Sequence, residues 1–326
     1  MEAIYLDRKE ELAPVLAYHF EKGGEAEKAF HYLVHVSRRA ASMHAHREAI
    51  AGFSKAITLA HESMIRLSGS PEHFGTEVTA VHEELGDVYF VVGEYQSAVE
   101  QYGRAQEGAS DGHHRARLHR KMGQAFEKWG KYGDAKASFE AGLTELGEVP
   151  DNSEAAYIYT GLGLTHYHLG ELNEAVDLCS RALEIMEGLE NERGIAYACN
   201  NLAIIYCKKC EWDTSLSQHR RCISIWERIG DTYGLAASHN NIGLTLKGRG
   251  DWQQAVEHFE KSLELFERLG NRHGLARAYD NLGQVYMEQD QVEKATDYVQ
   301  KAFTILTEMS KDRSEISPEL WQSGAW

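Results

Sequence analysis

LGLTHYHLGELNEAVDLCSRA, Leu162–Ala182, is one of six segments that align without a gap. The others are LGDVYFVVGEYQSAVEQYGRA (Leu85–Ala105), MGQAFEKWGKYGDAKASFEAG (Met122–Gly142), LAIIYCKKCEWDTSLSQHRRC (Leu202–Cys222), IGLTLKGRGDWQQAVEHFEKS (Ile242–Ser262) and LGQVYMEQDQVEKATDYVQKA (Leu282–Ala302). After a first interval of 37 residues the starts recur every 40. A fixed period of this size marks a repeat array in which each unit buries its apolar face on its neighbours. The first position is always a large aliphatic and the next is small (Gly86, Gly123, Gly163, Ala203, Gly243, Gly283), which lets two helices cross closely. Eight residues past the start, Gly93, Gly130, Gly170 and Gly250 suit a turn needing positive φ, whereas the fourth segment has Cys210. Thirteen past it stands Ala98, Ala135, Ala175, Ser215, Ala255 or Ala295, where a second helix touches the first. Tyr102, Phe139 and Phe259 fill the gap between the two helices.

Eleven residues before the last five starts stand Asp111, Asp151, Asn191, Asp231 and Asn271. Their side-chain oxygens suit them to cap the unpaired first-turn amides of a helix. Each repeat therefore reads as a helix pair punctuated at both ends. The N-terminal part is less regular, with helices expected over 9–22, 25–43 and 46–66, the middle one packing on both neighbours. The expected organisation is an irregular helical segment over 1–67, a kink at 68–73 (SGSPEH), six regular pairs over 74–309, and a tail over 310–326. That tail reads either as a short capping helix, with Trp321 over the last pair, or as unstructured chain.

The composition agrees. Only 4 prolines occur in 326 residues, and good helix formers dominate, so the class is all-α. The formal charge of −16 disfavours binding to phosphate backbones. No apolar run is long enough to span a bilayer, and the first residues lack the apolar core of a secretion signal. Five cysteines without a framework spacing point away from an oxidising compartment, so a cytoplasmic location is expected.

The pattern L-G-x2-Y-x3-G-x-Y/W-x2-A-x3-F/Y-x2-A resembles the tetratricopeptide repeat over nearly the whole chain. The 40-residue period and the openings GIAYACNNL, GLAASHNNI and GLARAYDNL are similar to the longer-repeat subgroup of kinesin light chains, spindle adaptors and bacterial peptide-sensing regulators. The resemblance implies a right-handed α-α superhelix of about eight helical hairpins that binds protein or peptide segments. The stretch from Tyr5 to Ile57 resembles the segment after the ATPase module in bacterial regulators that join an adenylate cyclase or other output domain to an AAA/STAND-type ATPase. This implies a larger signalling protein, with other domains of the same parent chain among the partners.

Chemistry is not expected. The chain has no phosphate loop, no nucleophile elbow and no HExxH. Cys207-Lys-Lys-Cys210 supplies two thiols where a zinc site needs four ligands, and the 17 histidines are scattered. Neither cofactor nor metal is expected.

In such arrays the first helices line a groove. The residues expected to face it are Arg117, Arg120 and Gln124; Tyr157, Thr160 and Leu164; Tyr197, Asn200 and Ile204; Asn240 and Leu244; and Arg277, Asp280 and Gln284. Leu164, Ile204 and Leu244 read either as an apolar strip for ligand side chains or as aliphatics packed under their neighbours. Asn200 and Asn240 read either as amides that bond a peptide backbone or as a bond between helices. Three functions remain: an adaptor capturing a peptide or helix, a ligand-sensing domain controlling an attached ATPase or cyclase, or an oligomerisation module.

Overall fold

The computed structural model describes residues 9–66, 71–147 and 152–312. All regular structure among them is helical, and the chain divides into two units, 1–147 and 148–326. The first unit holds α1 (Lys9–Lys22), α2 (Ala26–Ser42), α3 (His46–Arg66), α4 (Pro71–Val92), α5 (Tyr95–Gly108), α6 (Gly112–Lys128) and α7 (Tyr132–Leu146). The second holds α8 (Ser153–Leu169), α9 (Leu172–Gly188), α10 (Glu192–Lys208), α11 (Trp212–Ile229), α12 (Thr232–Arg249), α13 (Trp252–Arg268), α14 (Arg272–Glu288) and α15 (Val292–Asp312). Helix α1 packs on α2, and the pairs α2–α3, α4–α5 and α6–α7 come after it. The second unit is made of the pairs α8–α9, α10–α11, α12–α13 and α14–α15. Seven hairpins behind a leading helix come close to the eight read from the sequence.

Residues 67–70 lie outside the described residues, while Pro71–His73 open α4, which packs on α3 within the first unit. Helix α15 runs on to Asp312, and Trp321 with the rest of 313–326 lies outside the described residues.

The small columns explain the packing. A Cβ on Gly123 would stand 2.7 Å from the Phe139 ring, and one on Gly243 2.6 Å from the Phe259 ring. Real side chains do not approach so closely, so a phenylalanine ring at this position requires glycine at the other. Both rings are fully buried. A second set of contacts joins successive pairs. Gly194, Gly234 and Gly274, in the first turns of α10, α12 and α14, face Met186, Trp226 and Phe266 near the ends of the preceding helices.

Helix starts obey the caps. Asp111, Asn191, Asp231 and Asn271 accept from the backbone N–H three residues on, at 2.7–2.9 Å. At α8 the cap is Asn152, accepting from Ala155 N–H at 2.9 Å, and not Asp151, which lies outside the described residues. The helix begins at Ser153, and a capping side chain must stand three residues before the amide it serves.

The turn inside each regular pair carries a residue at positive φ. Glycine holds this place at four of them, but Cys210 adopts φ 60° and Asp290 φ 58°. A side chain in this region costs about 1–2 kcal/mol, part of which glycine returns as chain entropy. Cys210→Gly is therefore expected to stabilise the second unit by about 1 kcal/mol, seen as a higher urea midpoint at constant slope. A lower midpoint would contradict this reading of the turn.

Candidate functional site

In the second unit the first helices of successive pairs touch, α8 with α10, α10 with α12 and α12 with α14. These four helices carry eleven of the residues expected to bind. Tyr157 and Tyr197, one repeat apart, are 41 % and 49 % exposed. Tyr197 meets the edge of the buried Trp226 ring at a centroid distance of 5.1 Å, which fixes its own ring. Leu164, Ile204 and Leu244 are half-buried, so each has both a packed and an open side. Thr160 turns its hydroxyl back to the Ala156 carbonyl at 2.9 Å.

The asparagines form a relay. Asn281 Nδ2 donates to Asn240 Oδ1 at 2.9 Å, Asn240 Nδ2 reaches Asn241 Oδ1 at 3.5 Å, and Asn241 Nδ2 donates to Asn200 Oδ1 at 2.9 Å. Asn240 is 1 % exposed, so it serves the joint between α12 and α14 and does not face a ligand. Asn200 is half-buried at the end of the relay, with its carbonyl occupied by Asn241.

Toward the other end the face becomes polar. Gln284 donates to Asp280 at 2.7 Å and accepts from Lys247 at 2.7 Å. Arg277 is half-buried, with its guanidinium 6.0 Å from the Phe266 ring centroid, and burial lowers its pKa. Arg193 is an addition that the sequence reading lacks. It lies one helical turn before Tyr197, pairs with Asp231, and stands within electrostatic reach of both Tyr157 and Tyr197.

Arg117, Arg120 and Gln124 lie in the first unit and are occupied there. Arg117 makes two 3.1 Å bonds to Glu83, and Arg120 donates to Gln124 at 3.2 Å. Lys121 and His114 also reach Glu83, at 2.8 and 2.9 Å. Burial opposes ionisation of Glu83, but hydrogen bonds from Lys121, Arg117 and His114 outweigh it and hold the carboxyl at about 2. This face of α4 and α6 is knitted by charge.

Three histidines cluster elsewhere in the second unit. His219 takes the place that Phe259 and Phe139 hold in other pairs; it is fully buried, and neither ring nitrogen has a hydrogen-bond partner. Burial, with the neighbouring His258, lowers its pKa to about 3. His258, 3.0 Å from His239 between Nδ1 atoms, falls to about 4 through burial, His239, Lys261 and Arg220. An unfolded histidine titrates near pH 6.5, so below that pH the unfolded chain takes up protons that the folded chain refuses. Stability is therefore full above pH 6.5 and falls as the pH drops toward 4. The slope from His219 alone reaches about 1.4 kcal/mol per pH unit. Urea unfolding across this range should show the slope, and His219→Val should reduce it; an unchanged slope would remove His219 from the account.

Among the described residues no group of three or more His, Cys, Asp or Glu could hold a metal ion, and no helix is long and apolar enough to cross a membrane.

Comparison with known proteins agrees with this architecture. Residues 154–228, 194–268 and 234–308 match the tetratricopeptide-repeat family model in overlapping windows. Residues 154–308 therefore carry tetratricopeptide repeats. No curated protein matches it. Aspartyl phosphate phosphatase F from Bacillus subtilis is similar in structure at a TM-score of 0.68 and 15 % identity, over 88 % of this chain and 73 % of that one. The Rap conjugation gene regulator of plasmid pLS20, solved in complex with the Phr* peptide, gives 0.61 at 16 % identity over 92 % and 80 %. A tetratricopeptide repeat protein from Parabacteroides merdae ATCC 43184 gives 0.60 at 18 % identity over 85 % and 93 %. At these identities the likeness is one of fold.

Proposed function

We propose that the chain is a non-catalytic scaffold that binds an extended peptide or helix along the first-helix face of the second unit. The observation that carries this reading is the pair of exposed tyrosines, Tyr157 and Tyr197, standing one repeat apart on helices that also carry half-buried Leu164, Ile204 and Asn200. Aromatic rings held by their neighbours offer contact area at little entropic cost, and a side-chain amide can bond a peptide backbone. The Phr* peptide in the complex of the pLS20 regulator, a protein of similar fold, supports a peptide ligand. A second reading rests on the resemblance of Tyr5–Ile57: peptide binding here controls an attached ATPase or cyclase in a larger cytoplasmic signalling protein. A fluorescence-polarisation screen of labelled peptides tests the first reading. Saturable binding that Tyr157→Ala/Tyr197→Ala weakens by about 10–100-fold is the expected result, and unchanged affinity in that variant would sink the assignment. Asn240→Ala is unsuitable for this purpose because it breaks the buried relay.

A further inference from the structure

Cys207 and Cys210 close the turn at the end of α10. Cys210 N–H donates to Cys207 C=O at 3.0 Å, and Glu211 N–H donates to Tyr206 C=O at 2.9 Å. A turn closed by such a bond holds its two end Cα atoms within about 7 Å, and a disulfide spans Cα atoms about 4.4–6.8 Å apart. Cys210 is exposed and Cys207 half-buried, whereas Cys179, Cys199 and Cys222 are buried. Lys208 and Lys209 stand between the two, and Lys209 pairs with Glu211 at 2.9 Å. The Cys207 thiol lies beside Thr245 of α12; burial raises its pKa, which the neighbouring Thr245 hydroxyl partly offsets.

We propose that Cys207 and Cys210 form a dithiol–disulfide switch oxidised by a small-molecule disulfide. The exposed Cys210 thiolate attacks one sulfur of the incoming disulfide, whose S–S bond breaks and whose other half leaves as a thiolate. Cys207, deprotonated in turn, attacks the Cys210 sulfur of the mixed disulfide and releases the second half. Two protein thiols are oxidised, the small disulfide is reduced to two thiols, and the two protons pass to the departing sulfurs. The division of labour comes from access, since the attacking sulfur must meet solvent and the resolving one need only reach its neighbour.

The switch acts on a joint between repeats. Thr245 Oγ1 lies 3.1 Å from Ser215 Oγ, which itself donates to the Ala203 carbonyl at 2.8 Å, so α10, α11 and α12 meet there in one buried polar node. Drawing the Cys207 sulfur toward Cys210 withdraws it from Thr245 and loosens α10 against α12. These two helices carry Ile204 and Leu244, so the oxidation state bears on the proposed ligand face; the sulfur chemistry itself stands without that reading.

The test incubates the full chain with oxidised glutathione, blocks free thiols and maps a non-reduced tryptic digest by mass spectrometry. Trypsin cuts after Lys208 and Lys209, so the expected product is two peptides joined through Cys207 and Cys210, with the other three thiols free. Cys207→Ser should stop at a glutathione adduct on Cys210, and Cys210→Ser should give no joined peptides. Five free thiols, a wild-type chain arrested at the adduct, or a bridge between other cysteines would overturn the switch. Hydrogen exchange around Thr245 should quicken on oxidation, and unchanged exchange there would overturn the coupling to the joint.

Discussion

Trp226→Ala is expected to destabilise the second unit by about 3–5 kcal/mol, the usual cost of removing a large buried aromatic. The indole is 2 % exposed and lies in a cluster with Ala196, Cys199, Cys222 and Ile225. It also reaches across to the next pair, where a Cβ on Gly234 would collide with the ring. Gly234→Ala should therefore cost about 1–3 kcal/mol by overpacking, although alanine is otherwise the better helix former. The two changes share one contact, so the double variant should lose less than the sum of the single ones. Urea unfolding of the four proteins supplies the cycle, and strict additivity would mean that glycine is not there for the tryptophan.

The Tyr157→Ala/Tyr197→Ala variant should bind a selected peptide about 10–100-fold more weakly, the range expected when one or two anchoring aromatics are truncated. Tyr157 is 41 % and Tyr197 49 % exposed, so their loss should move the unfolding midpoint far less than Trp226→Ala does. This contrast separates contact with ligand from support of the fold. Arg220→Ala, on the exposed side of α11, is the matched control and should leave affinity unchanged.

The helix pairs are legible in the sequence because a repeat prints each packing constraint several times. Glycine opposite Phe139 and glycine opposite Phe259 are the same constraint, and alignment shows it before any coordinate does. Caps are legible for the same reason, except at α8, where the helix starts one residue later relative to Leu162 and Asn152 replaces Asp151. The division at Gly147 escapes the repeat pattern, although Gly147 and Pro150 stand together there.

On the proposed ligand face, the placement of Tyr157, Tyr197, Leu164 and Ile204 at partly open positions is legible in the repeat columns, and the pairing of the amides is not. Asn240 and Asn281 bond across 41 residues, as Asn200 and Asn241 do, because adjacent first helices meet one position out of the sequence register. A column read at 40-residue intervals therefore pairs the wrong amides. Side-chain direction decides which asparagine is buried, and sequence spacing does not carry it. Arg193 escapes the sequence because its neighbours Tyr157 and Asp231 lie on other elements, one in the preceding repeat and one at the next cap.

Hydrogen exchange of the chain with and without a peptide selected by the polarisation screen shows which helices the ligand covers. Slowed exchange in α8, α10 and α12, centred on Tyr157, Tyr197 and Ile204, with α9, α11 and α13 little changed, is the result expected. Protection confined to α9, α11, α13 and α15 would place the ligand on the opposite helices and contradict the account.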